Sequence, residues 1–186
     1  TGECLAILLH PCSRWPWDPM TTGKHVHYFA RLASHNFEID GVEFADFIIA
    51  SGATAAVLCN PNIPTGVFMP LSDVSRLLDR LKDLAVVVID ESFADFVDEF
   101  EVPTMVGQVF TRPNLIVLKS LGKNFGLHGV RAGYAVAHPE MAAKLRAALP
   151  YWNLNAMAEM LIRDLGAHMA EYEVGRQQVV RDREYL

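Results

Sequence analysis

Positive charge is scarce in this sequence. Lysine and arginine together number 16 against 22 aspartates and glutamates, a net charge of −6 over 186 residues. Phosphate binding needs a basic face, so a nucleic-acid partner is not expected. Long apolar runs are missing too. The run Leu5–Leu9 is too short to span a bilayer and has no basic residues before it, so no membrane span or targeting signal is read. The three cysteines, Cys4, Cys12 and Cys59, form no CxxC pair. So sparse and odd a count fits a reducing, cytoplasmic compartment with thiols packed as small apolar groups. No GxxxxGK(S/T) pattern is present, so a nucleotide P-loop is not indicated. Repeats and low-complexity segments are absent. The chain opens on Thr1 and almost directly on a strand, which gives the expectation that its natural start lies upstream.

What is present is a globular chain, 51% hydrophobic and only 20% charged, which argues against disorder. Short apolar runs alternate with amphipathic stretches. Cys4–Leu9, Ala55–Cys59, Ala85–Ile89, Leu115–Leu118 and Tyr134–Ala137 read as strands, and Asn36–Ile39 as a short strand. The spacing predicts helices over Lys24–Ser34 and Val42–Ala50, and from a cap at Ser72 to about Leu84. Pro139 opens another helix at the turn where proline is tolerated. Beyond Pro150 the chain reads as helical. This alternation predicts an α/β fold, a three-layer α/β/α sandwich around a mostly parallel sheet. Ligand sites in such sheets lie outside the carboxyl ends of the strands. Residues 1–150 are expected to form the main domain and residues 151–186 a helical segment leading towards a second one.

Three strand ends carry polar residues. The first is the turn Cys59-Asn60-Pro61-Asn62-Ile63-Pro64-Thr65-Gly66, which by itself reads as structural. The second is Asp90-Glu91-Ser92-Phe93. A carboxylate at the end of a central strand needs a pairing group, such as a protonated ring nitrogen, or serves as a helix cap. The third runs from Lys119 to Tyr134, with four glycines, two lysines and an arginine. Glycine lets a ligand approach the backbone, arginine can grip a phosphate bidentately, and a lysine amine can form an imine with an aldehyde. Other candidates carry less. His25 and His27 do not share a face on a helix, so no metal site is read there. His128 reads as an exposed loop residue. The acidic run Asp95, Asp98, Glu99 and Glu101 reads as a solvated loop.

The segments CNPNIPTG, VVVIDESFADF and NLIVLKSLGKNFGLHGVRAGYAVA, followed by PYWNLN, occur in that order and spacing. Together they resemble the fold-type I pyridoxal 5′-phosphate (PLP) enzymes, in the branch of histidinol-phosphate aminotransferase and threonine-phosphate decarboxylase. The resemblance implies that Lys123 holds PLP as a Schiff base and shuttles the proton. It implies that Asp90 binds the ring N–H, and that Ser120 and Arg131 bind the cofactor phosphate. It further implies a homodimer acting on a small-molecule amino donor and a keto acid. The chain would be about half of a family member, lacking upstream and downstream parts.

Four positions depart from the family pattern. Ile63 stands where an asparagine usually contacts the cofactor's O3′, and Phe93 where a tyrosine often does; Asn60 and Asn62 are the residues placed to compensate. Gly122 replaces a serine that contacts phosphate. Ser13 occupies the place of the ring-stacking aromatic, and Trp15, two residues on, is the candidate to stack instead, with plain packing as the alternative. The expected activity is transamination. Decarboxylation is the rival, since the decarboxylase branch also tends to carry phenylalanine at the position of Phe93. A truncated relative without catalysis is the third reading.

Overall fold

The computed structural model describes residues 4–8, 23–98 and 101–185. Among the described residues six strands form one sheet: β1 (Cys4–Leu8), β2 (His25–Phe29), β3 (Ala55–Cys59), β4 (Val86–Asp90), β5 (Leu115–Ser120) and β6 (Gly133–Ala137). Their order across the sheet is β2-β1-β3-β4-β5-β6. The first five run parallel and β6 alone is antiparallel, so the α/β class and the mostly parallel sheet are as the sequence predicts. The helices are α1 (Gly41–Ala50), α2 (Leu71–Arg80), α3 (Leu121–Asn124), α4 (Pro139–Ala148), α5 (Ala156–Asp164) and α6 (Met169–Arg183).

The core lies between one face of the sheet and helices α1 and α2. Phe44, Ile48, Val74, Leu77 and Leu81 pack there against Ala56, Leu58, Val87, Ile89, Leu115 and Val117. Each such large side chain contributes about 1.5–3 kcal/mol by leaving water. The strand residues belong to one parity, because successive side chains point to opposite faces. The other parity, Val57 and Cys59 with Val26 and Val88, forms a smaller cluster on the second face. Asp40 caps α1 by accepting from the Val42 N–H at 2.7 Å. An ion pair between Arg80 and Asp46 ties α2 to α1.

Three local expectations are corrected. Lys24–Ser34 is not a helix; His25–Phe29 is the edge strand β2, paired in register with β1. Val26, Phe29 and Ala30 satisfy a helical spacing, yet the strand-forming run His-Val-His-Tyr-Phe follows the tertiary pairing. Phe29 is anchored by Phe44 and Phe47, each with its ring centroid 5.3 Å away. A strand does place His25 and His27 on one face. Among the described residues, however, no group of three His, Cys, Asp or Glu side chains could hold a metal ion. Asn36–Ile39 is not a strand either. A 3-10 turn at Ala33–His35 is followed by Asn36 and Phe37 in the left-handed region (φ 50° and 58°), which bends the chain away from any ladder. The second helix starts at Leu71 behind Pro70, not behind a Ser72 cap; the Ser72 hydroxyl donates to Asp73 instead.

Candidate active site

The parallel strands deliver their carboxyl ends to one edge of the sheet. There Cys59 is the register partner of Asp90, and Asp90 that of Leu118. The Asn60 N–H donates to the Asp90 carbonyl and the Glu91 N–H to the Leu118 carbonyl, both at 2.9 Å, extending the ladder into the loops. Asp90 is half-buried on the same face as Cys59. Its Oδ1 accepts from the Ser92 N–H at 3.0 Å and from the Ser92 hydroxyl, the turn an aspartate forms two residues upstream of a donor.

Ser120 ends β5 and starts α3, accepting from the Lys123 N–H at 3.4 Å. Lys123 therefore stands on a single helical turn directly outside the strand. Its Nζ lies 4.2 Å from the centroid of the Phe93 ring, an ammonium-on-aromatic contact. The Cys59 thiol is pushed up to about 12, first by burial and then by the Asp90 carboxylate, while Lys123 and Arg31 pull the other way. Asp90, Lys123 and Arg31 thus all act on one buried atom. Burial lowers Arg31 to about 10, its Nη1 donates to the Phe37 carbonyl at 3.0 Å, and its Nε is buried with no hydrogen-bond partner among the described residues.

The glycines of the lysine segment have separate causes. A Cβ on Gly133 would lie 2.7 Å from the Lys119 carbonyl oxygen, so no other residue fits there without a backbone shift. A Cβ on Gly122 would lie 3.3 Å from the Leu127 carbonyl, a tight approach that leaves little room for a serine. Arg131 is left-handed (φ 58°, ψ 42°) and exposed, at the end of a 3-10 turn over His128–Val130. The Leu121 N–H bonds the Ala132 carbonyl at 3.1 Å, which holds the Arg131 stretch beside the start of α3. Asn155 caps α5 and donates to the Val130 carbonyl at 3.1 Å. The structure therefore gathers Asp90, Ser120 and Lys123 at one edge and keeps Arg131 on the adjoining loop. Trp15 and Ser13 lie outside the described residues. His128 is exposed.

The proline turn divides its two asparagines. Asn60 grips the Met69 backbone with both ends of its amide, donating to the carbonyl at 2.9 Å and accepting from the N–H at 2.7 Å. That geometry commits Asn60 to the turn. Asn62 donates to the Thr65 hydroxyl at 2.8 Å, while its Oδ1 is buried and has no hydrogen-bond partner among the described residues. It lines a cavity of about 620 Å³ with Ile63, Phe68, Phe93, Phe96 and Arg183.

Sequence reasoning missed a buried polar network next to this edge. Lys119 has the parity of Leu115 and Val117, so it points to the core face, where its Nζ meets Glu91 Oε2 at 3.0 Å. Glu91 also accepts from the Thr104 hydroxyl and the Met105 N–H, both at 2.6 Å. Asp95, expected in a solvated run, is instead largely buried and bonded to the Tyr172 hydroxyl. Asp98 is exposed, as expected, and pairs with Arg183. The available signal was parity: a lysine two residues after Val117 on a buried strand requires an acid.

An amine, a carboxylate and a capping hydroxyl at one strand edge suit a cofactor carrying an aldehyde and a basic ring nitrogen. The model of the family described as aminotransferase class I and II matches residues 20–184. The chain belongs to that family. Its cofactor is pyridoxal 5′-phosphate, as the sequence resemblance implied. The chain is 38% identical over 176 residues to the CMP-5'-(3-aminopropyl)phosphonate synthase of Streptomyces rubellomurinus, covering 89% of this chain and 27% of that protein. It is 33% identical over 168 residues to the L-serine phosphate decarboxylase of Sulfurospirillum multivorans, covering 86% and 42%. Among solved structures, a decarboxylase from Sulfurospirillum multivorans superposes with a TM-score of 0.84 at 30% identity, over 97% of this chain and 52% of that one. The chain therefore spans a quarter to a half of the length of these relatives.

Proposed function

We propose that this chain supplies the lysine and the ring-binding carboxylate of a PLP enzyme that decarboxylates an amino acid bearing a phosphate or phosphonate group. The observation that carries the reading is the Phe93 ring 4.2 Å from the Lys123 ammonium. With Phe96 beside it, at 6.4 Å between ring centroids, it makes an apolar wall where a phenol would offer a hydroxyl. Next to such a wall a substrate carboxylate loses hydration, and loss of CO₂ relieves that cost. The names of the two curated relatives support the substrate class.

In this reading Lys123 binds the cofactor aldehyde through its amine and afterwards delivers a proton to the substrate Cα. Asp90 holds the ring N–H, with Ser92 fixing the carboxylate's orientation. Ser120 and Arg131 bind the cofactor phosphate. When bound, PLP supplies a ring that accepts the electron pair left on Cα. Residues 151–186 lead towards a second domain, and two copies of the protein pair. Tyr151 and Trp152, each 96% exposed, support that pairing.

Borohydride reduction of the protein with PLP, followed by peptide mapping, is expected to find the cofactor on Lys123. With O-phosphoserine, CO₂ release is expected to exceed keto-acid formation. Keto acid without CO₂ would instead support transamination, which the family's description favours. No bound PLP at micromolar cofactor would support a folded relative without catalysis.

A further inference from the structure

The turn that carries Lys123 is four residues long, far too short to hold itself together in water. What holds it comes from outside, and it comes at both ends. Immediately before the turn's cap, Lys119 is fixed by Glu91 at 3.0 Å, with Asp95 Oδ1 4.0 Å from the same Nζ. Immediately after it, the Phe125 ring lies against the Tyr172 ring, with 4.4 Å between centroids and 34° between planes. The Tyr172 hydroxyl donates to the other oxygen of Asp95. Both ends of the turn therefore converge on one carboxylate, and Tyr172 is the member that joins them. It comes from α6, 77 residues from Asp95 in sequence. The same helix is pinned a second time to the same loop, where Arg183 donates to the Phe96 carbonyl at 2.9 Å and pairs with Asp98. Burial and the bond to Asp95 raise the Tyr172 phenol above its usual range, so it stays a donor through neutral pH.

From these contacts we infer that Tyr172 is a positioning residue for the cofactor lysine: its ring and its hydroxyl lock the turn of Lys123 between Lys119 and Phe125. The inference rests on Lys123 being the cofactor lysine, but the lock itself does not. Packing alone would need only the ring. A phenol placed on a buried acid that also faces Lys119 adds a direction, because it fixes the Tyr172 ring, and through it Phe125, relative to Asp95 and the Lys119 end of β5.

The test is Tyr172→Phe in the whole protein, which keeps the ring contact and removes the hydroxyl. Amide exchange at Lys123 and Phe125, measured without cofactor, is expected to quicken about tenfold on loss of a charge-assisted hydrogen bond. With PLP, cofactor affinity is expected to fall by a similar factor, and the pH midpoint of the lysine–cofactor absorption band is expected to move. Unchanged exchange at both amides, with only a lower melting temperature, would overturn the lock and leave Tyr172 as packing. Faster exchange in the variant, with no PLP taken up even by the parent protein, would keep the lock and remove the cofactor reading. Faster exchange with unaltered PLP affinity and pH midpoint would show that the lock does not position the lysine.

Discussion

Lys119 Nζ lies 3.0 Å from Glu91 Oε2, and the two side chains are only 8% and 2% exposed. Four residues later, the Lys123 Nζ lies 4.2 Å from the centroid of the Phe93 ring. Two lysines in one motif thus have different surroundings, one neutralised by a buried acid and one against an aromatic face. Lys119→Met strands the Glu91 carboxylate and is expected to cost about 3 kcal/mol, the lower end for breaking a buried pair, because Thr104 and Met105 still donate to it. Lys123→Ala is expected to cost less than about 1 kcal/mol, as it breaks no buried pair. Urea unfolding of both variants checks this, and equal losses would contradict the separation.

Gly133→Ala forces a Cβ to within 2.7 Å of the Lys119 carbonyl oxygen. The backbone of the β5–β6 pair must move, at an expected cost of about 1–3 kcal/mol. Gly129→Ala meets nothing within 4 Å and is the control. Comparable melting temperatures for the two variants would remove the steric account.

Asn60→Ala leaves the buried Met69 N–H and carbonyl without their partner. The expected loss is about 2–3 kcal/mol, against less than about 1 kcal/mol for Asn62→Ala, which gives up one bond and an oxygen with no hydrogen-bond partner among the described residues. Chemical denaturation separates the two. A larger loss at Asn62 would mean that its oxygen has a structural partner after all.

Cys59 gives a pH signature. The unfolded thiol loses its proton near 9, whereas the folded one holds it to about 12. Above pH 9 the unfolded chain binds fewer protons, so the stability this group contributes is complete below that value and declines as pH rises towards 12. The decline is expected to be shallower in Cys59→Ala, measured as unfolding midpoints at pH 8 and pH 10. Alkylation of the native protein at pH 8 is expected to be slow and to appear only on unfolding.

Much of this was legible from residue order alone. β3, β4 and the start of β5 announce themselves because strands covered on both faces become continuous apolar runs. That Asp90, Ser120 and Lys123 would share one edge could be expected because the strand ends of a parallel sheet lie together. β2 was hidden, since an edge strand carries exposed His25 and Tyr28 and its apolar positions also satisfy a helix. Asp95 was hidden for another reason. Its meaning depends on Tyr172, 77 residues later, and no local pattern carries a contact of that length. The Glu91–Lys119 pair lay between these extremes: strand parity indicated a buried charge but could not name its acid.

The lone antiparallel strand bears on how this scaffold can be altered. Ser120 faces Gly133 in the ladder, and the Leu121 N–H bonds the Ala132 carbonyl, so the lysine's segment leaves and re-enters the sheet at neighbouring points. Its length is set by that closure, and an inserted residue has nowhere to go except into the turn itself. The stretch between β4 and β5 joins parallel strands and must travel the length of the sheet, so its contour can grow at small entropic cost. Insertions into this protein therefore belong in the latter stretch, with residues 121–132 kept at their present number.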